Sequence, residues 1–396
     1  MVKLTEYDVL LKLHHTGKTD RESFVHLVRG DARFEKESER VIYARIRSLK
    51  NHKYASEKGS LLEVNIENPR VWDLLAFIYW STLKNKDFNI LLDAGLSSLF
   101  GAVISGCKTL GDLTKQLKKS KPTLLGHINT LVENGFLRKT REKPLVLEAN
   151  INDHTLYYIN YLGLDFSQYS KEHPLESIPE VHSKKLMQDL IRLHTYSTTV
   201  TEGNTASEED VQKVLENRPV KLTPKEMMEI VNTEKAVEKL IEYSGEEITE
   251  ERLLGLHAML MNNLVDTPGE YYYGRKRIIG SAHKPPDSKE VVDSTLKAVI
   301  NFTRKHADTN PLYIAPMAHL MFVSIHPFQD GNGRMARLLH SWILLKRNLP
   351  LFAYDPDKKN QYFNLLEGAR NTDSWEFIKF CNIEHKKILE KHTQSN

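Results

Sequence analysis

The sequence predicts a mainly α-helical fold: an all-helical core carrying one β-hairpin at 269–286, preceded by two small α+β units. Three observations lead there. From residue 185 onward apolar residues recur at helical spacing in nearly every segment, as in ITEERLLGLHAMLMNNL and PLYIAPMAHLMFVSI. The first 155 residues instead hold an internal repeat, in which Ile46, Leu49 and Tyr54 recur as Ile128, Leu131 and Phe136 at an offset of 82, and LEVNI (62–66) recurs as LEANI (147–151) at an offset of 85. Between the two regions SQYSKEHPLESIPEVHSKK (167–185) is polar, contains two prolines and reads as a linker. The expected units are therefore 1–70, 90–155 and 174–390.

With 396 residues, 40% of them hydrophobic, the chain can bury two or three cores. A net charge of +3 points to no partner class. Cys107 and Cys381 lack metal-ligand spacing, so a reducing cytoplasm is expected and a disulfide framework is not. The start, MVKLTEYDVLLK, is charged and amphipathic, unlike a signal peptide. The longest apolar stretch, 311–325, is interrupted by His319 and too short to span a bilayer, so no membrane association is expected.

In the second repeat copy a short helix, a turn through Ser120 and a helix opening at Pro122 are followed by Gly135, which closes the helix, and then by a strand pair looping at RKTREKP. This resembles a winged helix-turn-helix of the MarR/ArsR kind. Residues 108–143 hold nine Lys or Arg against three Asp or Glu, a surplus expected of a unit that contacts DNA phosphates. The first copy is less basic, and scaffolding or protein contact is expected of it. Phe77 to Leu83 is expected to pack between the copies. The segments 71–92 and 157–166 give no pattern beyond linking elements.

In the second half, STTVTEGN (197–204) reads as a helix end, with Thr198 and Glu202 on one face and Gly203 and Asn204 at the stop. His319, seven residues before His326, reads as a packing histidine. The densest chemistry lies in HPFQDGNGRMAR (326–337). Gly331 and Gly333 let a backbone press against an anion. Asn332 opens a helix whose free N–H groups and positive dipole end face that turn. Arg334 and Arg337 add forked donors, and Asp330 can hold a hard cation together with substrate phosphates. His326 can take a proton near neutral pH. The reaction class that follows is nucleotidyl or phosphoryl transfer.

The same string resembles the Fic family signature H-x-F-x-[DE]-G-N-G-R-x-x-R at every specified position. The resemblance implies transfer of AMP from ATP to a Ser, Thr or Tyr hydroxyl of a protein. His326 would be the general base and Asp330 the Mg²⁺ ligand. Gly331, Asn332 and Gly333 would form an anion hole for the α- and β-phosphates, with Arg334 on the β- and Arg337 on the γ-phosphate. A sister group that transfers a terminal phosphate lacks the second glycine, so Gly333 favours AMP. STTVTEGN resembles the family's inhibitory motif [ST]-x-x-x-E-[GN], which implies that Glu202, with Thr198, takes Arg337 away from the γ-phosphate.

GEYYYGRKRIIGSAHKPP (269–286) resembles the family's flap, a hairpin that aligns a target peptide by strand addition. Its Ile279-Gly280 pair would lie on ATP, and Tyr272 replaces a family arginine. KKNQYFNLLEGARNTDSW resembles the segment over adenine, with Tyr362 and Phe363 as its aromatics and Arg370 where some relatives have asparagine. Transfer to the chain itself, removal of AMP and pairing of two copies through the Fic-like part also occur in relatives. The alternative reading is a DNA-binding regulator whose Fic-like part senses nucleotide without turnover.

Overall fold

Side-chain caps start the helices of the first unit where the sequence offers them: Thr5, Asp20 and Ser38 accept from the backbone of α1 (Glu6–Thr16), α2 (Arg21–Arg29) and α3 (Glu39–Asn51). The computed structural model describes residues 3–181 and 183–393. Strand β1 (Thr19–Asp20) precedes α2, and β2 (Ala55–Lys58) and β3 (Leu61–Val64) follow α3. β3 lies in the middle, antiparallel to both neighbours, with Leu62 opposite Thr19 and Glu57. Leu10, Leu13, Phe24, Ile42, Ile46, Leu49 and Leu62 are buried there.

After α4 (Pro69–Leu83) and α5 (Phe88–Leu92), the second copy repeats this order as α6 (Ala94–Ile104), α7 (Leu110–Leu117), α8 (Lys121–Glu133), β4 (Leu137–Glu142) and β5 (Leu145–Ala149). A single bridge, Thr109 to Val146, stands in for the third strand. α3 and α8 are both 13 residues long. The repeated Tyr54 and Phe136 are buried just beyond them.

The rest is helical: α9 (Asp153–Leu162), α10 (Ser167–Glu172), α11 (Lys184–Thr201), α12 (Glu208–Leu215), α13 (Pro224–Glu242), α14 (Glu250–Leu260), α15 (Lys289–Lys305), α16 (Pro311–Ile325), α17 (Asn332–Leu345), α18 (Lys359–Asn371) and α19 (Trp375–Thr393). The mainly α class expected from the sequence is the class observed. Its hairpin at 269–286 needs correction, because that segment forms no strand. Tyr272 donates its N–H to Pro327 O, Ser281 donates to Ile278 O, and Pro285 and Pro286 have no N–H to give.

α4 joins the halves. As expected it lies between the copies, with Tyr79 Oη 2.6 Å from His14 Nδ1 of α1 on one side. On the other, Phe77 packs on Tyr158 at 4.7 Å and Trp80 on Tyr157 at 5.1 Å. It also packs on α15, where fully buried Asp73 pairs with Lys305 and accepts from Asn160 at 2.9 Å and Asn301 at 3.2 Å. Lys305 also donates to Asn160 O at 2.7 Å.

The second copy is tied to the end of α18. Ile151 N–H donates to Asp373 at 3.1 Å, Arg138 pairs with Asp373 at 3.3 Å, and Asn152 donates to Thr372 O at 2.9 Å. Lys84 pairs with buried Asp153 at 3.0 Å and donates to Arg370 O at 3.0 Å.

Removing one partner of a buried pair strands the other. Lys305→Met is expected to lower unfolding stability by about 3–5 kcal/mol in denaturant titrations, with part of the loss recovered by adding Asp73→Asn. Equal midpoints for Lys305→Met and the parent would show that the pair does not hold α4 on α15.

Candidate active site

α16 brings His326 to the site and stops there. Pro327 disfavours helical geometry in the residue before it, and His326 adopts φ +52°, with its N–H on Phe322 O at 3.2 Å. The loop that follows is closed by a reciprocal pair. Phe328 N–H donates to Asn332 Oδ1 and Asn332 Nδ2 donates to Phe328 O, both at 2.9 Å.

Gly331 then takes φ +78° ahead of α17, and a Cβ on it would stand 2.7 Å from the Met261 sulfur. No side chain caps α17, so its first N–H groups stay free to meet an anion.

Glu202 already occupies that end of α17. α11 ends at Thr201, and Glu202 follows as its cap. α11 is anchored by Ser197, which donates to Tyr354 O at 2.6 Å, and by His194, 2.6 Å from Phe352 O. The carboxylate lies so close to Gly333 that any Cβ there would collide with it. Glu202 Oε1 accepts from Arg337 Nη2 at 2.5 Å. Thr198 Oγ1 accepts from Arg337 Nε at 2.6 Å, and Thr198 O from Nη2 at 3.2 Å. Arg337 is 1% exposed, while the Glu202 side chain is 34% exposed. Burial opposes the guanidinium charge, and Glu202 together with Tyr362 and Tyr354 more than offsets it. Arg337 Nη1 and Arg334 Nε are buried donors without a hydrogen-bond partner among the described residues.

The imidazole of His326 is half-buried, and its Nδ1 has no hydrogen-bond partner among the described residues. Burial, and next the charge of Lys276, lower its pKa to about 4, so the ring is neutral at pH 7. Asp330 is exposed, and its Oδ1 accepts from Gly331 N–H at 2.6 Å.

Other expected residues lie elsewhere. Ile279 is 97% exposed, and Gly280 is in a turn at φ +77°. Tyr362 is buried, hydrogen-bonded to His319 at 2.7 Å and stacked on Tyr354 at 4.9 Å, with the Arg337 guanidinium 6.0 Å over its ring. It offers no open face to a base and instead supports Arg337 from beneath. His319 is the buried packing residue that the sequence suggested. Arg370 is also buried, and it binds Ser324 Oγ at 3.0 Å, Glu367 at 2.8 Å and Ser281 Oγ at 3.4 Å. The position thus ties the flap to α16.

Sequence reasoning missed His257 on α14. Its ring stacks on Phe328 at 3.6 Å with planes 5° apart. Nδ1 accepts from Gly269 N–H at 2.9 Å, which leaves Nε2 to donate to Asp330 O at 3.0 Å. One neutral ring thereby fixes both the loop and the start of the flap. Only the fold brings residues 257 and 330 together, so no local signal marked it.

His257→Phe keeps the stack and strands two polar groups, a cost of ~2 kcal/mol in unfolding free energy at pH 7.5. Burial, first, lowers the folded-state pKa of His257 to about 4. The unfolded parent therefore takes up a proton there as pH falls from about 6.5 to 4, and loses stability by up to about 1.4 kcal/mol per pH unit. The variant lacks this term, so its deficit is expected to shrink on acidification. A deficit that stays constant from pH 7.5 to 4.5 would contradict the assignment.

Comparison with known proteins agrees with this geometry. Residues 247–344 match the family model described as Fic/DOC family. The chain is 26% identical over 217 residues to protein adenylyltransferase fic-1 of Caenorhabditis elegans, covering 53% of this chain and 42% of that protein. It is 27% identical over 229 residues to protein adenylyltransferase Fic of Drosophila yakuba, covering 56% and 46%. It thus spans less than half the length of these relatives. Among solved structures, a Fic-1 fragment from C. elegans aligns at 18% identity and TM-score 0.47, covering 94% of this chain and 98% of that one. A Fic family protein from Desulfovibrio desulfuricans aligns at 22% identity and TM-score 0.43, covering 61% and 74%. With His326 to Arg337 built as described and the family match spanning them, the chain carries a Fic domain.

Proposed function

We propose that the protein is an adenylyltransferase that moves AMP from ATP to a hydroxyl of a protein, held in an off state by Glu202. The observation that carries this reading is the Glu202 carboxylate lodged against Gly333 and paired with Arg337, at the free end of α17. An anion already rests where the cradle would take a phosphate. Relatives named protein adenylyltransferase support both the activity and a protein as acceptor.

In the proposed reaction the α- and β-phosphates lie against the N–H groups of Asn332 and Gly333, with Arg334 on the β-phosphate and Arg337 on the γ-phosphate. The acceptor oxygen attacks the α-phosphorus and the bond to the bridging oxygen of the β-phosphate breaks. Pyrophosphate leaves, and the acceptor's proton passes to neutral His326. Asp330, exposed and the one acid between 326 and 337, suits a hard cation that takes its remaining ligands from phosphates and water. Bound Mg²⁺ would supply neutralisation of phosphate charge. Among the described residues no group of three metal-ligating side chains competes for it. Phe363, 44% exposed, is the aromatic left for adenine.

We also place the protein in a reducing cytoplasm, in keeping with its two unpaired cysteines. Among the described residues no helix is long and apolar enough to cross a membrane. Contact with DNA through 108–143 is the weaker reading. The outward side of α8 presents one lysine, Lys121, beside Pro122, Leu125, Gly126, Asn129 and Glu133, while Lys108 and Arg138 are committed to carboxylates of their own chain.

Glu202→Gly removes a hydrogen bond between charged groups worth ~1.5–3 kcal/mol, so transfer of label from [α-³²P]ATP should rise by about ten- to a hundredfold. His326→Ala in that background should abolish transfer and leave nucleotide binding nearly unchanged. Equal transfer by Glu202→Gly and the parent would remove the switch. Because Lys276 disfavours the imidazolium, Lys276→Met should move the acid limb of the Glu202→Gly pH–rate profile upward from about pH 4. An unmoved limb would mean that another group sets it.

A further inference from the structure

The outward side of α3 carries Arg40, Ala44, Arg47 and Asn51 at intervals of four, three and four, with Tyr43 beside them, opposite buried Ile42, Ile46 and Leu49. Together with Arg21 and Lys50 they line an open groove of about 730 Å³ that contains four cations and no carboxylate. Glu57, shared by Arg21 and Lys50, offsets one of them. Arg40 and Arg47 are exposed and form no ion pair among the described residues. Arg40 and Arg47 thus carry positive charge that no carboxylate among the described residues pairs with. From Arg40 to Asn51 this side of α3 runs ~16 Å.

We propose that this face binds duplex DNA, with α3 in the major groove. An arginine offers a fork for guanine, an asparagine an amide for adenine, and an alanine a methyl for thymine, so Arg47, Asn51 and Ala44 face base edges while Arg40 meets a phosphate. α3 follows α2 across a turn and precedes the β2–β3 hairpin, which leaves its outer side open along its length. The hairpin adds little charge of its own, since Lys58 and Lys18 both pair with Glu63. An acidic peptide is the competing occupant. It would find only Tyr43 and Ala44 as apolar anchors, too little for stable peptide docking, whereas a duplex needs the charge and the polar forks that are present. The inference stands on α3 alone and does not require AMP transfer.

The full chain would be titrated by fluorescence anisotropy against a random-sequence 30-base-pair duplex, and then against sites enriched from a random pool. Arg40→Ala/Arg47→Ala should weaken duplex binding at least about tenfold and make the slope of log K against log salt shallower by about one, close to the ~0.9 expected for the single phosphate that Arg40 no longer neutralises. Lys119→Ala/Lys121→Ala in the second copy should change it less than threefold. Arg47→Lys keeps the charge and loses the fork, so it should lose about tenfold on an enriched site while matching the parent on random duplex. Unfolding midpoints equal to the parent's would show that each variant is folded, and for a variant that is not folded Arg47→Lys alone decides. The proposal is overturned if folded Arg40→Ala/Arg47→Ala binds duplex like the parent, if the loss instead follows Lys119 and Lys121, or if polyglutamate competes as well as duplex does.

Discussion

A guanidinium with 1% of its surface exposed cannot remain without a counter-charge. Arg337 is held from below by Tyr362 and from the side by Thr198, so its position is settled before any ligand arrives. What varies is the anion. Glu202 supplies it from the end of α11, and a phosphate could supply it equally well through the same fork. The carboxylate is the more exposed partner and ends a helix followed by Gly203 at φ +104°, so it is the member of the pair able to withdraw. The cradle thus has one cationic anchor and two candidate counter-ions, and the choice between them sets whether the site is closed.

The signature was legible because its chemistry is local. Twelve consecutive residues contain the helix start, the glycines and the charges, so the chemistry of the cradle can be read locally even though His257 and Thr198 help to hold it. The pairing of Glu202 with Arg337 joins residues 135 apart; only the family resemblance suggested it. His257, Lys276 and the clamp by Arg370 were not legible at all, because each acts on a group that only tertiary packing brings near. The flap was misread for a related reason. The family resemblance implied a hairpin at 269–286, but an isolated two-stranded hairpin is marginal without packing. Here Tyr272 is bonded to Pro327 O instead of to a partner strand.

α4 and α9 gave no clear pattern because polar residues occupy buried positions in them. Asp73, Ser81, Asp153, His154 and Asn160 are all buried. Each breaks the apolar periodicity that marks a helix, yet most have a partner: Asp73 has Lys305, Asp153 has Lys84, and Ser81 lies 2.8 Å from His154 Nε2. Such pairs contribute less to stability than apolar side chains of the same volume, but they tolerate only one alignment of the helices. The N-terminal half is therefore fixed to the Fic domain in a single register.

That register reaches the flap. Lys84 bonds the carbonyl of Arg370, whose guanidinium holds Ser324, Ser281 and Glu367, and Ser281 Oγ in turn accepts from His283 N–H at 3.0 Å. His283 Nε2 lies 2.8 Å from Ser324 O, two residues before His326, and its ring is 5.9 Å from Trp80 of α4. The C-terminal base of the flap is thus held by α4, α16 and α18 together, while Ile279 at its turn projects into solvent. A segment held at Tyr272 and at Ser281 to His283, with no strand partner between them among the described residues, keeps backbone donors and acceptors available along one edge. On the proposed reading, an acceptor peptide would complete that edge by strand addition. The fixed ends would then set how far its hydroxyl stands from His326, and no hairpin is needed beforehand.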